Sequence, residues 1–485
     1  MNKKFYIFIA GITAFRLGYA VFLPAAPQEA YYWNYSRHLA LSYFDHPPMA
    51  AYMIKLTTLL GTSNFTVHLA AISLSLIMSL IIYRLAVLLF DERTAFWSGV
   101  AINLTFIYAL GSLIITPDTP LLLFWCLAML ACLKIDRGEG KLWWILLGLF
   151  IGAGFMSKYP IVFAGLGAIL YFLLSYRRIR WFKTPWPYLA LLAAIVAASP
   201  VIIWNYQNDW ASFIFQTERR AGEVKRFRAD YFFGYIGTII GVYGIIPIPL
   251  LVAGAWNSLK RSIRGNYSNH ALITWFSLPL LVFLFPIAMV SWVKMNWTAP
   301  AFIGIFIAGA AYYFFKAESS RLVRIWGKVT MIFLAVTFIL IHVIFLLPNI
   351  YLGKGDFHAG WDKLARKVES VRMEIPAPYF ICGYEYKTAS ELAFHLRDHP
   401  ETVSNNILGR PGLQYDYWCD PDTLKGYNAI VVYDMRNKIR NASEITDRFE
   451  NVEYDSSVII ERGGKEVTEF YIFRCYDYQG PRGRK

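Results

Sequence analysis

Long apolar runs alternate with short polar connectors over the first 347 residues. Runs long enough to cross about 30 Å of hydrocarbon predict about eleven helical spans. They lie near 5–24, 66–90, 94–115, 119–135, 142–157, 160–175, 187–206, 232–256, 271–293, 298–315 and 328–347. The fifth and sixth are short enough to form a re-entrant pair. The first run follows Lys3 and Lys4 as a signal peptide would, but Arg16 interrupts its apolar core and further spans follow, so it reads as an uncleaved span. Beyond residue 347 the pattern changes. Trp361, Leu364, Val368 and Val371 keep helical spacing across 360–374, and shorter helical patterns lie near Ser390–Leu396 and Ala442–Phe449. Apolar runs at Tyr379–Cys382, Ala429–Tyr433, Val458–Ile460 and Phe470–Phe473 read as strands. The expected architecture is a polytopic α-helical membrane domain over 1–347 and a small α/β domain over 348–485.

The connector between the first two spans is long and aromatic, from about Ala25 to Phe65. A helix over 28–39 sets Tyr32, Tyr35 and Leu39 on one face with Trp33 beside them. Pro47-Pro48 then breaks the chain before a second helix. Aromatic, amphipathic helices of this kind are expected at the membrane–water boundary.

Composition agrees with the span pattern. Apolar residues make up 56% of the chain and charged residues 16%, against about 25% charged in a soluble domain. This excludes disorder, a coiled coil and a small disulfide scaffold. The net charge of +14 divides unevenly: 28 Lys+Arg and 12 Asp+Glu precede residue 351, and 19 and 21 follow. The basic excess therefore belongs to the spans, where it sets topology, and no nucleic-acid partner is implied. Eighteen of the 28 fall on connectors of one side, the cytoplasmic side by the positive-inside rule. The N-terminus is then cytoplasmic and the tail extracytoplasmic, in a multi-pass inner-membrane protein. Cys382, Cys419 and Cys475 lie in that tail, where one pair is open to oxidation.

Two features break the bias. Arg219, Arg220, Lys225, Arg226 and Arg228 crowd one outer connector, fitting either headgroup contact or a phosphate site, which Arg serves through bidentate hydrogen bonds. Glu29, Asp45, Asp118 and, more loosely, Asp209 are carboxylates near the same face. Asp118, in Thr116-Pro-Asp-Thr-Pro, is either a helix cap or a functional group, since ionisable residues at membrane depth are costly. Lys158 and Lys294 lie at outer span ends, where a single lysine ordinarily snorkels. Together with His46 they make a positive rim around carboxylates, suited to an anionic lipid-linked substrate.

Glu29-Ala-Tyr-Tyr-Trp followed by Tyr43-Phe-Asp-His-Pro-Pro resembles the first outer loop of GT-C class membrane glycosyltransferases. The resemblance is nearest to the branch of protein O-mannosyltransferases and lipid A aminoarabinose transferases. Thr116-Pro-Asp-Thr-Pro, Ser157-Lys-Tyr-Pro, Ser199-Pro-Val-Ile-Ile-Trp-Asn and Val293-Lys-Met-Asn-Trp-Thr-Ala-Pro resemble further stretches of that branch, in order. The family's first acidic position is Gln28 here, so Glu29 takes its place.

The resemblance implies a sugar donor on polyprenyl phosphate and a single inverting displacement. Glu29 and Asp118 are the expected catalytic pair. Lys158, Arg219, Arg220, His46 and Lys294 are expected on the donor phosphate, and Asp45, Tyr32, Trp33 and Asn296 on substrate. The acceptor is an envelope lipid, glycan or protein, with the tail as a roof that helps to choose it. No obligate metal is expected; a divalent cation held by Glu29, Asp45 and Asp118 is the alternative. A secondary transporter or flippase of an anionic lipid-linked substrate is the rival reading, although matching inverted repeats are lacking. A non-catalytic assembly protein is a third.

Overall fold

The structure is a computed structural model describing residues 3–223, 227–264, 268–347, 350–353, 356–436 and 443–481, without the side chains of 219–223. Among the described residues six helices are long and apolar enough to cross a membrane: Asn64–Leu89, Asp118–Asp136, Trp186–Gln207, Ser268–Val290, Met295–Ala317 (with a 3-10 first turn) and Arg321–Leu346. Several predicted spans are shorter or broken. The run over 232–256 is two helices, Ala229–Tyr243 and Ile248–Ile263, bent by 103°. Gly244 adopts φ 85° there, and Pro247 caps the second helix. The run over 94–115 stops at Leu104, and Thr105 caps a short helix, Phe106–Gly111.

The two short runs become the helices Leu142–Phe155 and Val162–Leu173, joined by a 3-10 turn at Tyr159–Ile161. Leu142–Phe155 lies against Trp186–Gln207 backbone to backbone. A Cβ on Gly148 would stand 2.0 Å from the Ala190 carbonyl oxygen, and one on Gly152 2.5 Å from that of Ala194. Small residues at such a seam let two apolar helices approach where burial alone gives no driving force in lipid.

The tail folds around one five-stranded sheet. Its strands are β1 (Tyr379–Gly383), β2 (Thr402–Val403), β3 (Asn428–Asp434), β4 (Phe449–Arg462) and β5 (Lys465–Tyr478), in the order β2-β1-β3-β5-β4. β2, β1 and β3 run parallel, and β3, β5 and β4 antiparallel. Trp361, Leu364, Val368 and Val371 of the Trp361–Arg372 helix pack with Ile381, Ile430, Val432 and Ile472 on one face. The other face buries Phe380, Cys382, Val431 and Cys475. All five cysteines are free thiols. The Tyr386–His395 helix belongs to both halves of the molecule: Leu392 packs on the sheet, whereas Ala389, Ala393 and Phe394 join the core of the helical part.

Two devices fix the tail to the spans. Arg462 donates from Nη2 to the carbonyls of Ile344 (3.1 Å), Phe345 (3.0 Å) and Leu347 (2.9 Å), satisfying acceptors that the end of the Arg321–Leu346 helix leaves open. Its Nη1 pairs with buried Asp356 at 2.6 Å. The loop helix Pro27–Arg37 lies beneath the tail and buries nine of its eleven residues. Tyr386, Phe394 and Trp418 of the tail meet the rings of its Tyr31, Trp33 and Tyr35.

Candidate active site

After the Pro27–Arg37 helix the loop turns back through Asp45 and Pro47-Pro48 into the Met49–Thr57 helix. The Met49 amide donates to the Met156 carbonyl at 2.9 Å, docking this turn beside Lys158. Asp45 is 7% exposed. Its Oδ1 accepts from the Tyr31 hydroxyl at 3.0 Å and from the Tyr35 hydroxyl. Burial, reinforced by the Asp45 charge, pushes both phenols well above their usual range, so they remain donors. The Asp45 carbonyl accepts from Gln216 Nε2 at 2.8 Å, which brings the Ala211–Glu223 helix to the same turn. The tail closes the arrangement: the Gln414 amide donates to the Tyr31 hydroxyl (3.2 Å), and Gln414 Oε1 accepts from the Phe44 amide (2.7 Å).

A second carboxylate lies nearby. Asp118 begins the Asp118–Asp136 helix, where the helix dipole favours negative charge. Lys158 Nζ donates to both of its oxygens, at 2.8 and 2.7 Å, and Asn296 Nδ2 donates to Oδ2 at 2.6 Å. The Lys158 and Asp118 side chains are 13% and 14% exposed. Three segments far apart in sequence thus meet, and three of the residues singled out from the sequence stand in one cluster. Tyr32 lies within electrostatic reach of both Asp45 and Asp118, and its ring meets the His46 ring edge-on at 5.7 Å. Lys294 is exposed, two residues before Asn296. The side chains of Arg219 and Arg220 lie outside the described residues, as do Lys225 and Arg226 altogether.

Two expectations need correction. Glu29 is fully buried, and both its oxygens are engaged. Oε2 accepts from the Ala26 amide at 3.0 Å, closing the start of its own helix, and Oε1 accepts from the Ile115 amide at 2.8 Å and meets His68 Nδ1 at 3.0 Å. A carboxylate so enclosed clamps the loop to the spans and has no approach for a substrate hydroxyl. Trp33 is also withdrawn, held edge-on by Phe394 and His399 of the tail at about 5 Å. Among the described residues no group of three His, Cys, Asp or Glu side chains is placed to hold a metal.

Sequence reasoning missed Tyr31, Gln216 and Gln414. Tyr31 and Tyr35 stand four residues apart on one helix, a spacing visible in the chain. Their common target, ten and fourteen residues onward across a turn, carries no periodic signal.

The family model described as dolichyl-phosphate-mannose-protein mannosyltransferase matches residues 45–204. A lipid A galacturonosyltransferase of Rhizobium johnstonii is 27% identical over 68% of this chain and 70% of its own. An undecaprenyl phosphate-alpha-4-amino-4-deoxy-L-arabinose arabinosyl transferase of Photorhabdus laumondii is 26% identical over 52% of this chain. The match spans about half of that enzyme, 47% of its length. In fold, the chain superposes on ArnT of Cupriavidus metallidurans with a TM-score of 0.67, covering 96% of this chain and 97% of that one at 12% identity. It also superposes on the mycobacterial arabinofuranosyltransferase AftD with a TM-score of 0.58 at 13% identity, covering 99% of this chain and 40% of that one. In sequence the chain is similar to lipid A and undecaprenyl-phosphate sugar transferases and to the protein mannosyltransferase family model, and it shares the fold of the GT-C class membrane glycosyltransferases.

Proposed function

We propose that this enzyme moves a sugar from a polyprenyl-phosphate donor to a lipid acceptor of the envelope, on the outer face of the inner membrane. Relatives named for undecaprenyl-phosphate aminoarabinose and for lipid A support the donor and acceptor classes. The basic connectors support the sidedness. One observation carries the chemistry: two carboxylates, Asp45 and Asp118, stand within electrostatic reach of Tyr32, each held by its own set of donors. Asp118 pairs with Lys158 and accepts from Asn296, and Asp45 accepts from the Tyr31 and Tyr35 hydroxyls.

Asp45, in place of Glu29, orients the acceptor hydroxyl and takes its proton. The oxygen attacks the anomeric carbon opposite the phosphate, the bond from that carbon to the phosphate oxygen breaks, and the configuration inverts. Polyprenyl phosphate leaves with the bond's electrons. Lys158 meets its growing charge, with His46, Lys294, Arg219 and Arg220 as further phosphate contacts. Asp118 and Asn296 aim the lysine, and Tyr32 walls the space between the two acids. Arg219 and Arg220 follow Gln216, which holds the Asp45 turn, by three and four residues on one helix.

Asp45→Asn tests this reading. Loss of a general base costs about 10²–10⁴ in rate. Purified Asp45→Asn enzyme is expected to melt like wild type and to bind the polyprenyl-phosphate sugar, yet to lose transfer to lipid A by that factor when product is followed by mass spectrometry. Near wild-type turnover rejects Asp45 as the base.

A further inference from the structure

The tail lays one strap, residues 409–419, across the Asp45 turn. Within it Leu413 adopts φ 57°. The left-handed region costs a leucine free energy, because its Cβ crowds the following carbonyl oxygen. Such a residue persists only where its surroundings over-determine it, and strain of this kind gathers at functional sites.

Leu413 is held from both sides. On one side the Asp416 carboxylate accepts from the Gly412 amide with both oxygens, at 2.9 and 3.0 Å. This closes a ring of five residues with Leu413 and Gln414 inside it. Two backbone bonds tighten the ring: the Tyr415 amide donates to the Gly412 carbonyl and the Asp416 amide to the Leu413 carbonyl, each at 3.2 Å. On the other side Gln414 is tied to Tyr31 through its amide and to the Phe44 amide through Oε1. Tyr415 anchors the strap. It is fully buried, and its hydroxyl accepts from Asn34 Nδ2 at 3.2 Å and meets Ser390 Oγ at 2.8 Å. Asp416 itself is exposed.

The two groups that Gln414 holds flank Asp45: Tyr31 donates to its carboxylate, and Phe44 precedes it in the chain. The Gln414 amide belongs to the peptide unit that follows Leu413. If Leu413 relaxes to negative φ, that amide turns away from the Tyr31 hydroxyl. We propose that Asp416 is a positioning residue for the transfer reaction: by clamping Gly412 it keeps Leu413 left-handed and so aims Gln414 at both sides of Asp45. The proposal rests on the reading of Asp45 as the base. Its lever ends on an exposed side chain, where substitution leaves the cores of both halves intact.

Steady-state kinetics of the full-length protein, with a defined polyprenyl-phosphate sugar and lipid A, test this. Asp416→Ala should melt like wild type and keep the donor KM. It should lose about tenfold in kcat, more than Gln414→Ala, because the amide bond to Tyr31 is lost along with the side-chain bond. The double variant with Gln414→Ala should be no worse than Asp416→Ala alone, since the two act as one unit. Leu413→Asn in the Asp416→Ala background should restore most of the kcat, because asparagine enters the left-handed region more readily than leucine. A role confined to tail stability does not produce that rescue. Near wild-type kcat in Asp416→Ala, with Asp45→Asn inactive, overturns the proposal and leaves Asp45 as the base. Losses that multiply in the double variant, or no rescue by Leu413→Asn, overturn it as well. A tenfold loss in Asp416→Ala with Asp45→Asn fully active rejects the reading of Asp45 and the proposal with it.

Discussion

Glu29 and Asp45 belong to one loop, sixteen residues apart, and their surroundings are opposite. Glu29 receives the Ala26 amide at the start of its own helix, and the Ile115 amide and a histidine from farther along the chain. Asp45 receives phenol hydroxyls, which are neutral and sit on a helix that the tail covers. The first arrangement fixes a carboxylate as a structural acceptor. The second holds one in place through two hydroxyl donors, at the turn docked beside Lys158. Position in a family motif does not separate the two residues; the identity of their donors does.

The contrast is broken most severely at the other acid. Removing a charge-stabilising donor typically costs about 10²–10³ in rate, so Lys158→Met should lose that much kcat with a smaller change in donor KM. Asp118→Asn should lose a similar amount, because it releases the lysine from its aim. The pair acts as one unit, so the double variant should be little worse than either single one. Losses that multiply, read in steady-state kinetics with a defined lipid-linked donor, would separate the two residues into independent roles.

Glu29→Gln sharpens the comparison in the opposite sense. Disturbing a buried, hydrogen-bonded acceptor costs about 1–3 kcal/mol, so the melting temperature should fall while turnover per folded molecule stays within a few-fold of wild type. If Glu29→Gln melts normally and loses transfer as Asp45→Asn does, the assignment of roles within the loop is reversed.

Gln414 sets how far the tail takes part. It touches Tyr31 through its amide and Phe44 through its side chain, on either side of Asp45. Gln414→Ala removes the side-chain bond alone, worth about 1 kcal/mol, so kcat should fall about fivefold with the tail still folded. Tyr31→Phe should fall by at least as much, since it removes the link on which the Gln414 amide acts. Unchanged kcat in Gln414→Ala would make the tail a cover without influence on the acid.

Much of this arrangement was legible in the chain. The apolar runs, the two loop helices around Pro47-Pro48 and the main tail strands follow from periodicity and proline chemistry. Asp118 and Lys158 follow from scarce charge at span ends, and Asn296 from the resemblance of its stretch to the family. What was hidden depends on distance in sequence. The bend at Gly244 looks like one continuous apolar run until a positive φ divides it. The burial of Glu29 and Trp33 depends on Ile115, His68 and Phe394, which no local pattern connects to them. The tail's grip on Asp45 comes from residue 414, and a contact across some 370 positions leaves no trace in spacing.

The smallest effect concerns the surface where tail and loop meet. The His395 side chain, 7% exposed on the Tyr386–His395 helix, lies 2.8 Å from Asp362 and 3.1 Å from buried Glu391. Burial lowers its pKa, but the hydrogen bonds and charges of the two acids outweigh this and push it up to about 9. Burial pushes Glu391 upward as well, with His395 opposing. Both groups hold protons more tightly in the folded protein than in the unfolded chain, so each contributes stability at low pH that is lost as pH rises. For His395 the contribution is full below its ordinary 6.5 and disappears through about 9. The melting temperature of the full-length protein should therefore decline from pH 6.5 to 9, by an amount that His395→Gln removes. Because the Tyr386–His395 helix lies on the Pro27–Arg37 helix, the tail should loosen from the loop over the same interval, and transfer by Gln414→Ala should fall more steeply with pH than that of wild type. An identical pH slope of melting in wild type and His395→Gln would place the titrating group elsewhere.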